Sequence, residues 1–234
     1  VPSDMPDIVF QISSGLYGAR DKQGNFDPDR YQKVMSFCQM TEIKMAQGAK
    51  QTGGKLTGHK VTPAIAYYRN VEAYKDVFSP NRFPYANSIE ELFDFIGTLQ
   101  ELSGKPVGMK IVISDTQNIE PYAKEIKRRV DLGIDAYPDY ITLDSGSGGS
   151  ATAPLEMMER VGLNVRDSVY LVNKVLTDYG VRDKVRIVAS GKILTPDDII
   201  IVMSLGADFL QIARGFMMSA GCIRARYCSG TTGR

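Results

Sequence analysis

Residues 139–150 read DYITLDSGSGGS, and this stretch decides the fold. Tyr140, Ile141, Thr142 and Leu143 form a short apolar run with β-branched content, bounded by Pro138 and a glycine cluster. That pattern predicts a buried strand. The strand ends in an acid, Asp144, and opens into a loop holding Gly146, Gly148 and Gly149. Glycine accepts positive φ and lets backbone approach a ligand closely. Two later stretches repeat the pattern, VRIVASG at 185–191 and FLQIARG at 209–215. Any one of these glycines can simply end a strand. Three strands in series, each opening into a small-residue loop at its C-terminal end, point to a parallel α/β protein that holds an anionic ligand at that edge.

Outward from this stretch, strand and helix alternate. Strands are expected at 106–114, 140–144, 185–189 and 209–213, separated by amphipathic helices at 119–132, 165–179 and 195–205. A helix over 88–102 precedes them, with Ser88 and Glu91 at capping-box spacing and Leu92, Phe95, Ile96 and Leu99 on one face. Alternation with short connections means a parallel sheet. Upstream, strands are expected at 7–13 and 41–46 and short helices at 29–39 and 62–68, the last with Pro63 in its first turn. The loop QGAKQTGGKLTG at 47–58 reads as polar and without regular structure, and 77–86 as irregular. The count is about six strands, against the eight that close a barrel. No composition shift divides the chain, so residues 1–234 read as one domain.

The totals exclude several classes of function. The chain has 234 residues, 43% of them hydrophobic, enough for one sizeable core. A formal net charge of +1 without a basic run argues against a nucleic-acid partner. No signal peptide or membrane-spanning stretch is read, and three cysteines suggest no disulfide framework, so a reducing cytoplasm is expected. His59 is the only histidine, which removes most Ser-His-Asp and Cys-His schemes and any multi-histidine metal site. Chemistry would fall to a cofactor or to Lys, Asp and Arg.

The candidate residues follow from these placements. Ser190-Gly191-Lys192 and Ala213-Arg214-Gly215 follow the last two strands, where α/β barrels often cradle phosphate on backbone N–H groups and a helix N-terminus. Arg214 can add charge-assisted bonds, or can be a solvated strand end. Lys110 lies mid-strand, where an ammonium needs an anion or a polar ligand edge. It can balance charge on a bound ring or pair with Asp144. Glu42 and Lys44 put two charges into another strand, one of which must face solvent or a polar barrel interior. Cys222 and Cys228 have the residue type to ligate iron, though buried inert thiols are the ordinary reading, and Cys38 reads as core.

Several stretches together resemble a known family: QISSGLYGAR at 11–20, EIKMAQGAK at 42–50, KVTPAIAYYR at 60–69, GKPVGMK at 104–110, ASGKI at 189–193 and ARGFMMSAGCIRARYC at 213–228. In order and over nearly the whole chain, they resemble the FMN-binding synthase domain of glutamate synthases. The resemblance implies a (β/α)8 TIM barrel of the FMN-dependent type, beside a three-iron iron–sulfur cluster (3Fe-4S). In the family, 2-oxoglutarate condenses with ammonia, and the imine takes a hydride from reduced FMN to become glutamate. By this resemblance Gln11, Lys110, Gly191, Arg214 and Gly215 fall around FMN, joined by the loop residues Gly148, Gly149, Ser190, Lys192 and Ala213. Gln47, Lys50 and Arg69 fall around the 2-oxoglutarate, where Lys and Arg can neutralise a dicarboxylate. Lys50, Lys110 and Asp144 are the expected catalytic groups. Cys222 and Cys228 match the first two cluster ligands.

Three departures carry expectations of their own. The family loop DGxEGGTGAAP has a glutamate where this chain has Ser147. No third cluster cysteine follows Cys228. The family's first two strands would precede Gln11, so the chain is expected to be a six-strand portion completed by another segment or subunit. Glutaminase and electron-donor domains or subunits are expected partners, within an oligomer. The alternatives are a non-catalytic FMN-binding or assembly subunit, a related FMN enzyme acting on another 2-amino or 2-oxo acid, and a flavin-free phosphate barrel using Lys110 as base or Schiff-base lysine.

Overall fold

Six of the apolar runs lie side by side as parallel strands in the computed structural model, which describes residues 6–50, 54–149, 153–154 and 156–225. These are β1 (Val9–Ile12), β2 (Met40–Lys44), β5 (Val107–Ile111), β6 (Tyr140–Asp144), β7 (Arg186–Ser190) and β8 (Phe209–Gln211), in the order β1-β2-β5-β6-β7-β8. Each residue's neighbour on the next strand points the same way, so the register separates two faces. The outer face carries Ile12, Ile43, Val107, Met109, Ile111, Ile141, Leu143, Ile187 and Ala189, all buried in the hydrophobic core. Helices α1 (Pro28–Met35), α3 (Ile89–Ser103), α4 (Glu120–Asp131), α5 (Val165–Asp178) and α6 (Pro196–Ser204) follow in the chain. Leu92, Phe95, Ile96 and Leu99 of α3 are buried, as their spacing predicts. So are Val169, Val172, Val175 and Leu176 of α5. Each such side chain contributes roughly 1.5–3 kcal/mol by leaving water.

The inner face is polar and curled. Gln211 on β8 donates to Glu42 on β2 at 3.3 Å. Four inter-strand spacings of ~4.8 Å would hold those strands about 19 Å apart in a flat sheet, beyond the reach of two side chains. The sheet therefore bends round on itself, and the architecture is a partial (β/α)8 barrel. Its margins are β1 and β8, where the inner-face residues Val9 and Phe209 are 47% and 60% exposed. A hollow of about 600 Å³ opens beside them at the amino ends of the strands.

Several expectations are corrected. The polar loop after β2 contains β3 (Lys55–Leu56), which pairs antiparallel with β4 (Val77–Phe78) in the stretch read as irregular. Two residues are too few for a periodicity to show, and the hairpin is held by polar bonds. Lys55 pairs with Asp76 at 2.7 Å, and Asp76 also accepts the Gly58 N–H at 2.7 Å. Between them lies α2 (Pro63–Arg69), capped by Thr62. The capping box at α3 is half formed. Ser88 Oγ accepts the Glu91 N–H at 3.1 Å, but the Glu91 carboxylate accepts from Asn87 N at 2.6 Å. After β8 come two further short helices, α7 (Arg214–Ser219) and α8 (Cys222–Ala225), in a stretch to which the sequence pattern assigned no element.

Candidate functional site

Alternation along the strands sends Gln11, Glu42, Lys44, Lys110, Thr142, Asp144, Ser190 and Gln211 to the inner face. Glu42 forms the floor. It is 2% exposed, and its carboxylate accepts from Gln11 Nε2 at 2.5 Å, Thr142 Oγ1 at 2.5 Å and Gln211 Nε2 at 3.3 Å. Four strands are thereby tied across the interior by one side chain. Beneath it the Tyr140 ring lies across Gly108, where a Cβ would sit 2.4 Å from the ring.

Asp144 stands at the carboxyl end of β6, buried, and organises the loops above. Its Oδ2 accepts the Gly48 N–H at 3.0 Å and lies 4.0 Å from Lys110 Nζ. The Ala49 N–H donates to the Gly148 carbonyl at 2.9 Å, so the β2 and β6 loops are held together twice. Ser145 N donates to the Ser190 carbonyl at 3.0 Å, which adds the β7 loop. The packing leaves no room for side chains at several glycines of these loops. A Cβ on Gly148 would meet Asp144 Oδ1 at 1.9 Å, and one on Gly191, at φ +115°, would meet Ser145 Oγ at 2.0 Å. The Ser145 and Ser147 hydroxyls are 3.1 Å apart, and both residues are buried.

Two cavities open above this floor. The larger, about 640 Å³, is lined by Gly148 and Gly149 of the β6 loop, Ser190, Gly191 and Lys192 after β7, and Ala213 and Arg214 after β8. Asp144, Ser147 and Gln47 complete its inner wall. Lys192 has φ +51°, and its ammonium pairs with Glu159. The smaller, about 150 Å³, lies between Ser13 and Ser14 after β1, Lys44, Gln47 and Lys50 at the end of β2, and Ser79 and Asn81. Gln47 lines both. Burial pulls the Lys44 ammonium below the usual lysine range, and the charge of Lys110 acts in the same direction.

The other candidate residues lie apart from these walls. Gln11 is bonded to Glu42 in the floor. Lys110 reaches the larger cavity only through Asp144. Gly215 is in the first turn of α7. Arg69 ends α2 with its guanidinium 4.7 Å from the Tyr17 ring centroid, and the Tyr17 hydroxyl accepts from Ser79 at 3.4 Å. It is thus one side chain removed from the smaller cavity. Cys222 is exposed on α8, and Cys228 lies outside the described residues. Among the described residues no three His, Cys, Asp or Glu side chains are grouped to hold a metal ion. Cys38 is buried, as expected. Sequence reasoning left Lys44, Ser13, Ser14 and Asn81 unassigned. The alternation Glu42-Ile43-Lys44 already placed Lys44 on Glu42's face; the serines and Asn81 carry no signal without the fold.

A partial (β/α)8 barrel with glycine-lined hollows at the carboxyl ends of its strands defines the class: a (β/α)-barrel protein, a fold in which ligand sites are generally built from the βα loops. The chain belongs to the glutamate synthase family, as the family model described as the conserved region in glutamate synthase matches residues 3–233. It is 39% identical over 228 residues to the glutamate synthase large subunit-like protein YerD of Bacillus subtilis (strain 168), covering 97% of this chain and 42% of that one. It is 32% identical over 224 residues to the archaeal-type glutamate synthase (NADPH) of Thermotoga sp. (strain RQ2), covering 94% and 40%. The chain thus spans well under half the length of these curated relatives. Among solved structures, a mutant flavocytochrome b2 with benzoylformate shares the fold, with a TM-score of 0.57 at 14% identity, covering 94% of this chain and 46% of that one. Among the described residues no helix is long and apolar enough to cross a membrane.

Proposed function

We propose that this chain is the barrel portion of an FMN-dependent oxidoreductase of the glutamate-synthase type, making L-glutamate from 2-oxoglutarate by way of 2-iminoglutarate. The observation that carries the reading is the pair of adjoining cavities sharing Gln47, one walled by backbone and one by lysines. The larger fits a flavin nucleotide in size, since cofactor pockets span roughly 300–1,000 Å³. It fits in chemistry too. Gly191 leaves bare backbone at a left-handed φ, and Arg214 brings a cation suited to a phosphate. When bound, FMN would supply the hydride.

The chain's own residues would then bind and orient. Lys50 and Lys44 balance a dicarboxylate in the smaller cavity, and Gln47 positions it toward the larger one. Arg69, stacked on Tyr17 whose hydroxyl meets Ser79 of the cavity wall, adds positive charge beside the smaller cavity. Lys110, behind Asp144, would add positive charge toward the bound flavin, and Asp144 keeps that ammonium in place while holding the β2 loop against the β6 loop. Cys222, exposed on α8 and lining neither cavity, would serve a cluster or a partner's electrons. Ammonia and electrons would come from further domains or subunits, and the open margins at β1 and β8 are where completing strands would pair.

Ser147 favours a second reading. A hydroxyl stands where the resemblance expects a carboxylate, and it is bonded to Ser145 rather than offered as a base. That suits an FMN enzyme acting on another 2-amino or 2-oxo acid. Anaerobic mixing of reduced, flavin-loaded protein with 2-oxoglutarate and ammonia tests both. Reoxidation is the expected result; reoxidation with a different oxo acid alone selects the second reading. Reoxidation by oxygen alone would leave a non-catalytic flavin carrier and overturn both.

A further inference from the structure

We propose that the smaller cavity is a proton-coupled anion site, in which a bound carboxylate draws one proton from solvent onto Lys44. The inference rests on the reading that this cavity takes a carboxylate; it does not require the flavin. Its basis is the arrangement of charge around one side chain. Lys44 lines the cavity with Lys50, and its register partner on β5 is Lys110, on the same inner face. Register partners on adjacent strands are ~4.8 Å apart at the backbone, so the two lysine side chains leave the sheet on the same face, and the charge of Lys110 bears on Lys44.

The acids that oppose them are Asp144 on β6 and Glu42 on Lys44's own strand. Both are already engaged. Asp144 accepts from Gly48 and lies beside Lys110. Glu42 accepts from Gln11, Thr142 and Gln211. Among the described residues, the other polar side chains lining the cavity, the hydroxyls of Ser13, Ser14 and Ser79 and the amides of Gln47 and Asn81, carry no charge. Burial, then Lys110 and Lys50, hold the Lys44 proton loosely despite the pull of Asp144 and Glu42.

A carboxylate entering the cavity supplies the missing countercharge. Above the pH at which Lys44 sheds its proton in the anion-free cavity, binding converts the amine to ammonium, with the added proton taken from water or buffer. The sign follows from linkage. Anion binding raises the Lys44 pKa. Between its anion-free and anion-bound values, binding takes up about one proton and the affinity falls about tenfold per pH unit. Below that window Lys44 is already charged, and binding is independent of pH.

Isothermal titration of the full chain with 2-oxoglutarate, in buffers of differing ionisation heat between about pH 6 and 10, reads the proton count directly. The expected result is uptake of about one proton per anion within part of that range. Lys44→Arg should bind with no uptake and a flat pH profile, because guanidinium stays charged. Lys44→Met should bind more weakly, also without uptake. Wild-type binding with no uptake at any pH overturns the proposal and leaves the carboxylate reading standing. Uptake that persists in Lys44→Arg assigns the proton elsewhere and also overturns it. Absence of binding sinks both the carboxylate reading and the proposal.

Discussion

Replacing Gly148 by alanine would place a methyl carbon 1.9 Å from Asp144 Oδ1 and 3.1 Å from the Ser145 carbonyl oxygen. Even a separation of 3.0 Å, which real side chains rarely undercut, demands movement of 1.1 Å, the difference between 3.0 and 1.9 Å. The carboxylate has little freedom to give. It is buried, its other oxygen accepts the Gly48 N–H at 3.0 Å, and Lys110 stands 4.0 Å away. Two costs follow. Overpacking costs ~1–3 kcal/mol, and loosening a hydrogen bond to a charged group ~1.5–3 kcal/mol. Shared relaxation makes the sum less than additive, so about 3 kcal/mol is expected. For a chain of this size that is a fall of about 6–12 °C in Tm. The same shift parts the β2 loop from the β6 loop, so ligand affinity at both cavities should fall with stability. Thermal unfolding and FMN titration of Gly148→Ala measure the two effects. Gly54→Ala is the control, because nothing lies within 4 Å of its Cβ position, and it should stay within about 0.5 kcal/mol of wild type. A Gly148→Ala protein that melts with wild type and binds ligand equally well would refute the packing argument.

Glu42→Gln replaces an acceptor of three hydrogen bonds with a group that must turn an N–H₂ toward at least one donor. A loss of about 1–3 kcal/mol is expected, read by chemical denaturation; an unchanged midpoint would mean the floor is not held by this carboxylate. Glu125 on α4 is held down to a pKa of about 2 from 4.5, first by its hydrogen bond from Arg128 and then by Arg129, against the opposing effect of burial. A depressed folded-state value means stability that is present at neutral pH and lost as pH falls through that window. Unfolding midpoints of wild type should therefore drop more steeply than those of Glu125→Gln between about pH 4.5 and 2, and parallel curves would contradict the assignment.

How much was legible in the sequence follows from what each residue responds to. The runs 140–144 and 185–189 stand out as short β-branched stretches alternating with helical ones over short connections, so about six strands in a parallel sheet could be read directly. Helix α3 announced itself through Ser88 and the spacing of Leu92, Phe95, Ile96 and Leu99. The β3–β4 hairpin could not be read, because it rests on Lys55–Asp76 and Gly58–Asp76 contacts between residues about twenty apart. The glycine and arginine loops after β6, β7 and β8 could be placed around one hollow because parallel strands deliver their carboxyl ends to one edge. The role of Glu42 was hidden. A lone acid in a strand says nothing of Gln11, Thr142 and Gln211, which meet it only once the sheet has curled. Lys44 was visible as an oddity, but its neighbours Lys110 and Lys50 became evident only in the fold.

The central claim is that the hollow bounded by Gly148, Gly191 and Arg214 receives FMN. Equilibrium titration of the protein with FMN, followed by flavin fluorescence and visible absorbance, tests it most directly. The account predicts saturable binding near one flavin per chain, weakened at least tenfold by Arg214→Ala and by Gly191→Ala and far less by Gly54→Ala. Protein that takes up no flavin, or binds it equally well in all three variants, would contradict it.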